Sequence, residues 1–288
     1  MDIIVRSFLS IALPIAVIAG SASCIGGNGP IATETMEYSD STAHAYLSMH
    51  VELPVASKGA PGKIREQLID ILGERLCRIT SYEDERFFDP FDGDKDDTDG
   101  LLGYYRDNAL KVIGEHSQKD ADERAEYSEG EDYEFPSWDY DFSFKKVIDT
   151  DRFVVFLSQD YIYMGGAHGG VTGQGYLTFD KGDGRLVTTM VDPSCTADIQ
   201  PLLVQGLISY YKEFDEVLSP EELKGHLMID GDLIPLPSWA PYPDGKGGLV
   251  FIYQQYEIAS YAEGMPSFTI PLQDMMPFMT DDARKLFL

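Results

Sequence analysis

The sequence predicts an α+β fold: helices packed on a mostly antiparallel sheet, divided into two subdomains. Three observations lead there. Several short segments alternate apolar and polar residues, as half-buried strands do. Other segments repeat apolar residues at three-four spacing, as amphipathic helices do. Strands and helices also fail to alternate regularly enough for a doubly wound parallel sheet. Hydrophobic residues make up 43% of the 288 and aromatics 12%, enough to build a core.

The chain opens with an address. Residues 1–23 carry Arg6, an apolar run from Phe8 to Ala19 and the small residues Gly20 to Ser23. This is the pattern of a secretory signal, and the run is short for a spanning helix. Cys24 follows directly, as in a bacterial lipoprotein signal, where the cysteine is lipidated and becomes the new N-terminus. The expectation is an exported bacterial lipoprotein, in the periplasm or on the outer surface, with the membrane reached through the lipid anchor alone. Residues 24–38 read as a Gly-rich, polar tether.

A strand is expected where Ala45, Leu47, Met49, Val51 and Leu53 share one parity. Lys58 to Gly62 breaks it, and a helix to Arg78 follows on the stripe Ile64, Leu68, Ile71/Leu72 and Leu76. A second helix is expected near 101–116, extending towards 127. Tyr140, Phe142, Phe144 and Ile148 share a parity in the next strand, and Phe153–Leu157 is continuously apolar, as in a central strand. Tyr176–Phe179 and Arg185–Thr189 flank Lys181–Gly184 as a hairpin. A helix covers about 197–214. Ser219-Pro220-Glu221-Glu222 has the cap, proline and glutamate that start another. Leu249–Ile258 and Ser267–Ile270 are expected strands, and Thr280-Asp281-Asp282-Ala283 opens a last helical turn. The expected domains are an N-terminal α+β domain with an acidic insertion (39–149) and a C-terminal domain (150–288).

Charge narrows the function. Asp and Glu number 49 against 22 Lys and Arg, a net charge of −27. That excludes general nucleic-acid binding, because the surface repels phosphate. It also argues against docking a folded face on an anionic leaflet. Residues 82–142 alone hold 21 acids against 6 bases. Such a surface attracts cationic partners and raises encounter rates more than affinity.

Catalytic signatures are missing. The sequence has no G-x-S-x-G, S-x-x-K, phosphate loop, dinucleotide fingerprint or H-E-x-x-H, and no cysteine pair at zinc spacing. Three features remain. Asp92, Asp94, Asp96 and Asp99 lie in a loop that either wraps a calcium ion or is a solvated acidic turn; position six is Asp97 rather than Gly and position twelve is Gly103 rather than Glu. Tyr161-Ile162-Tyr163-Met164-Gly165-Gly166-Ala167-His168-Gly169-Gly170 surrounds one histidine with four glycines. His168 there either takes part in binding or acid–base chemistry or ties down a glycine-rich crossover. Cys77 and Cys195 are a disulfide or two buried thiols.

Two separated stretches carry a resemblance. Tyr161–Gly170, with Tyr176-Leu177-Thr178-Phe179-Asp180 and Gly184-Arg185-Leu186-Val187-Thr188, resembles the Y-x-G-G-A-H…F-D…G…L-T core of a bacterial extracytoplasmic domain of unknown function. Tyr256-Glu257-Ile258-Ala259, Tyr261-Ala262-Glu263-Gly264 and Phe268-Thr269-Ile270-Pro271 resemble its closing Y-E-I-A-x-Y-A-x-G…I-P motif. That domain forms the C-terminal part of RsiV-type anti-sigma factors and accompanies PdaC-type peptidoglycan deacetylases. The resemblance spans about 150–275, and 43–78 is similar to the smaller domain that precedes it. With the lipoprotein signal and the missing catalytic motifs, the resemblance implies a lipid-anchored, non-catalytic binding or sensing module of the cell envelope, with a lysozyme-like cationic protein or a glycan as ligand, because the RsiV-type extracytoplasmic part binds lysozyme. It points to Tyr161, Tyr163, Gly165, Gly166 and His168 as ligand-binding candidates. Neither anti-sigma activity nor deacetylation carries over, since no sigma-binding segment or deacetylase domain is seen. No cofactor is expected apart from calcium at the Asp loop. Two alternatives stay open: an envelope hydrolase with dispersed active-site residues including His168, and a calcium-stabilised structural lipoprotein.

Overall fold

The computed structural model describes residues 29–79, 85–127, 137–165, 169–214 and 216–288. Its frame is a five-stranded sheet in chain order: β1 (Thr33–Ser41), β2 (Ala45–Pro54), β3 (Trp138–Asp149), β4 (Phe153–Tyr163) and β5 (Val171–Asp180). All neighbours are antiparallel except β2 and β3, which run parallel from Ala45↔Trp138 to Val51↔Phe144. A parallel pair needs a long crossover. Here α1 (Gly59–Cys77) and α2 (Thr98–Tyr127) supply it and cover one face of the sheet.

The apolar stripes dictate that packing. Ile64, Leu68, Leu72 and Leu76 of α1, and Leu101, Leu102, Ala109 and Ile113 of α2, are buried with Leu47, Met49, Val51, Phe142 and Phe144 of the sheet. The second core lies on the opposite face of β4 and β5. It joins Phe153 and Val155 to α3 (Gln200–Lys212), α4 (Pro220–His226) and a small antiparallel sheet of β6 (Tyr242–Pro243), β7 (Gly248–Ile252) and β8 (Ser267–Pro271). Helices α5 (Leu272–Met275) and α6 (Asp281–Lys285) close it. Val154 and Phe156 face the first core and Val155 the second, which explains the unbroken apolar run in β4.

Local signals set several boundaries. Ser219 accepts from the Glu222 amide while Glu222 accepts from the Ser219 amide, the reciprocal cap that opens α4. Thr280 caps α6 through the Ala283 amide. Gly184, at φ +78°, closes the turn after β5; a Cβ there would also collide with the Ala60 carbonyl at 2.4 Å.

Five expectations are corrected. The tether ends early, because β1 begins at Thr33 and is pinned ahead of that: Ile31 N–H donates to Asp149 (2.8 Å), and Lys146 and Lys181 donate to the Ile31 and Gly29 carbonyls (2.5 and 2.9 Å). The boundary at 149/150 falls in the β3–β4 turn, inside one continuous sheet. Ile148 does not share a face with Phe144. A bulge between Lys146 and Ile148 shifts the register, so Ile148 packs against the second core. Arg185–Thr189 forms no strand; one bridge, Phe179↔Leu186, holds the return limb. The strand expected at 249–258 stops at Ile252, where the chain turns through Tyr256 at φ +65°.

Candidate functional site

The two stretches that carry the resemblance meet at one end of the five-stranded sheet. Hydrogen-bond register places the C-terminus of β4 and the N-terminus of β5 together, Ile162 opposite Val171, and the glycine-rich segment connects them. Gly165 has φ +75°. Beyond the connection Gly170 lies flat on the Tyr161 ring; a Cβ there would sit 2.3 Å from it. Tyr261 O–H donates to the Gly170 carbonyl (2.9 Å) and passes close enough to Gly169 to exclude a Cβ. Tyr256, 59% exposed, sits 5.7 Å from the Tyr261 ring. Glycine is required at 169 and 170 because aromatic side chains occupy the space a Cβ would take.

The segment after β7 also finishes the sheet. Strand β5 is an edge strand with unpaired backbone groups. The Gln254 side chain acts as a substitute strand, with Oε1 accepting from the Gln174 amide (2.9 Å) and Nε2 donating to the Gln174 carbonyl (2.8 Å). Gln255 Oε1 accepts from the Thr172 amide (2.9 Å). The Glu257 carboxylate holds the turn from inside, accepting from the Gln254 amide at 2.7 Å and from the Ser238 amide at 2.5 Å.

One residue beyond Ala262, Glu263 gathers a polar cluster. Its Oε1 accepts from Ser260 O–H (2.8 Å); its Oε2 accepts from Tyr211 O–H (2.8 Å) and contacts His226 Nε2 (2.7 Å). Glu216 lies 3.7 Å from the other ring nitrogen. Burial pushes the Glu263 carboxyl up, but the hydrogen bonds from Tyr211, Ser260 and His226 outweigh it and hold the group below the usual carboxylate range. Burial and the Glu263 partner push the Tyr211 hydroxyl well up. A serine, a glutamate and a histidine thus touch, but in an order that does not activate the serine. Ser260 gives its proton to the carboxylate, and the imidazole bonds that same carboxylate rather than the hydroxyl.

The remaining expected residues are dispersed. Tyr161 and Tyr163 end β4, and Gly165 begins the connection; Gly166 and His168 lie outside the described residues, as does Cys24. In the acidic loop Asp94 accepts from the Asp96 amide, Asp97 caps α2 through the Gly100 amide and Asp99 accepts from Tyr38 O–H. Asp92 and Asp96 are exposed. Among the described residues no three His, Cys, Asp or Glu side chains are placed to hold a metal ion. Cys77 and Cys195 form no bridge: Cys77, the last residue of α1, is buried in the first core, while Cys195 packs at the core on the opposite face. No helix among the described residues is long and apolar enough to cross a membrane. Two open surface grooves are lined by other residues. One, of about 550 Å³, runs between Thr42–His44 and α2; the other, of about 690 Å³, runs along the outer side of α3.

Sequence reading missed one polar group near this end of the sheet. Arg75 Nη2 lies 2.8 Å from Asp160 Oδ1, but its N–H bonds are not aimed at that oxygen, so the contact is electrostatic rather than a directed hydrogen bond. The guanidinium stacks 4.8 Å above the Trp239 ring, which rests on Gly175 so closely that a Cβ would lie 2.1 Å away. Burial pushes the Asp160 carboxyl up, and Arg75 draws it back down. The signal was available: Asp160 shares the parity of Val154, Phe156 and Ser158, an acid on an otherwise inward-facing row.

Comparisons with known proteins cover both stretches. A model described as Deacetylase PdaC matches residues 41–170, and one described as Protein of unknown function (DUF3298) matches residues 233–273. The glycine-rich stretch therefore falls in the first match and the Tyr256–Gly264 stretch in the second, rather than both in a single 150–275 domain. No curated protein matches the chain. The crystal structure of a DUF3298 family member from Bacteroides fragilis superposes with a TM-score of 0.65 at 17% identity, over 91% of this chain and 99% of that one. A DUF3298 family protein from Pseudomonas aeruginosa gives 0.55 at 17% identity, over 90% and 98%. At these identities the likeness is one of fold. The chain is an α+β protein with the fold of solved DUF3298 family members, resembling PdaC over β2 to β4 with the crossover helices and DUF3298 over the small sheet.

Proposed function

We propose that this protein is a non-catalytic binding module of the bacterial cell envelope, exported and anchored by a lipid on Cys24, whose ligand is a cationic protein of lysozyme type or a glycan. One observation supports it most. Where the two resembling stretches meet, the described side chains fit for acid–base or nucleophilic work are spent on structure, while Tyr256 is displayed to solvent on a rigidly bonded turn. Exposed tyrosine on a fixed backbone suits recognition, giving contact area with little conformational entropy to lose. The charge of −27 suits a cationic partner.

Calorimetric titration of the mature chain with a lysozyme, at low and at moderate salt and paired with a pull-down, tests this. Binding that weakens as salt rises is expected. No heat and no retention at either salt removes the lysozyme version, and titration with peptidoglycan fragments then decides between a glycan and no ligand of either kind.

A further inference from the structure

The same sheet that brings the two stretches together also fixes where they stand relative to the N-terminus. Register puts the start of β1, the ends of β2 and β3, the start of β4 and the end of β5 at one end (Thr33↔Pro54, Val51↔Phe144, Phe153↔Asp180). The opposite end holds Ser41↔Tyr46, Ala45↔Trp138 and Ile162↔Val171, and so the glycine-rich connection. Ten residues of β2 at ~3.3 Å each separate the two ends by about 30 Å.

The chain is clamped to the first end from Gly29 onward. Lys181, whose side chain is 5% exposed, donates to the Gly29 carbonyl (2.9 Å), to Asp149 (2.7 Å) and to the Thr150 carbonyl (2.6 Å). Asp149 in turn accepts the Ile31 amide, and Ile31 is buried. Five peptide steps separate Cys24 from Gly29, a reach of at most about 18 Å even when fully extended. That leash is shorter than the sheet.

Charge adds a direction. The last turns of α2 run past the glycine-rich end, with Gly114 already beside Thr42 of the β1–β2 turn; there Lys119 and Arg124 pair with Glu123 and Asp120, and exposed Asp122 and Glu126 leave the turns net acidic. An anionic leaflet repels them. At the clamped end exposed Lys58, Lys63 and Arg152 offset exposed Asp151 and Asp183, so its turns lack the acidic excess of the other end.

Building on the reading of Cys24 as the lipidated residue, we propose that the fold stands on its clamped end. The 150–152 and 181–184 turns then face the lipid headgroups, and the tyrosine-bearing end is held outward by the length of the sheet. The outer end is thereby open to a partner of protein size arriving from solution.

Chemical coupling keeps the test independent of the cell. The chain from Cys24 onward, with half-exposed Cys195→Ser and the fully buried Cys77 left in place, is joined through Cys24 to maleimide lipid in vesicles bearing nitroxide headgroups. Two single-tryptophan reporters are compared: Trp239→Phe, which leaves Trp138 at the outer end, and Trp138→Phe/Trp239→Phe/Arg152→Trp, which places the reporter at the clamped end. Quenching at position 152 at least twice that at 138 is expected; equal or reversed quenching overturns the orientation. Deuterium exchange on the coupled Cys195→Ser chain reads the same orientation without tryptophan changes. Slowed exchange at 149–152 and 181–184 with 169–174 unchanged supports it, and the converse overturns it. Fatty-acid labelling in cells tests the anchor itself. Absence of label at Cys24 overturns that reading and this proposal with it, whereas failure in vesicles overturns the orientation alone.

Discussion

Replacing Arg75 by Met should destabilise the protein by about 3 kcal/mol, and most of that loss should vanish in acid. Arg75 and Asp160 are 27% and 21% exposed, so solvent screens them only in part. Removing one partner of a buried ion pair costs ~3–5 kcal/mol because the other charge is left desolvated. Partial exposure reduces this to about 2–3 kcal/mol, and loss of the cation over Trp239 adds about 0.5–1 kcal/mol. The pH dependence follows from the direction of the Asp160 shift. Burial raises its folded pKa above the unfolded value, so the folded state holds the proton more tightly. The ionised form therefore weakens the fold above the folded pKa, and the penalty is relieved as pH falls through it. Without Arg75 that pKa rises further. Urea unfolding of Arg75→Met against wild type at pH 7 and pH 4.5 measures both effects, and Arg75→Met/Asp160→Asn should recover at least about 1 kcal/mol. A deficit under about 1 kcal/mol at pH 7, or one that grows on acidification, refutes the reasoning.

Three more outcomes are expected. Gly175→Ala should cost about 1–3 kcal/mol in chemical unfolding, because its Cβ would overlap the Trp239 ring, and the fluorescence of that tryptophan should shift. Tyr256→Gly should raise the unfolding free energy by about 1 kcal/mol, since a bulky residue at φ +65° is strained; the same change should weaken ligand binding if the strain displays the ring. Glu263→Gln should cost about 1–3 kcal/mol at pH 7, and wild type should lose this advantage only as pH falls below the usual carboxylate range. Its folded pKa is lowered, so its stabilisation is present above the unfolded value and disappears through the folded one.

The sequence reveals best what local chemistry determines. Ser219 with Glu222, Thr280 before Ala283 and Gly184 in its turn each announce a boundary through one or two neighbours. Long stripes such as Ile64–Leu76 announce a helix and its buried face. Edge strand β1 is hidden because charge protects an edge: TETMEYSDS carries three acids and reads as tether. The parallel β2–β3 pair joins residues about ninety positions apart, and no local pattern records that. Ile148 keeps the parity of Phe144 in sequence while a single bulged residue sends it to the other face. At the candidate site the glycines and tyrosines were legible as unusual composition. The Gln254 and Gln255 side chains that stand in for a strand were not, because glutamine forms such bonds only where an open edge is offered.

Strand β4 has one further consequence. Both of its faces are interior, Val154 and Phe156 turned to one core and Val155 to the other, so neither core owns it. The small sheet and α3 have no floor unless β4 and β5 are already in place, and those strands owe their place to β3 and to the crossover helices. The chain resembles two families in succession, yet the strand its two cores share predicts that it melts as one unit. Calorimetry should record a single transition, and the segment 233–273 cut out alone should have nothing to fold against.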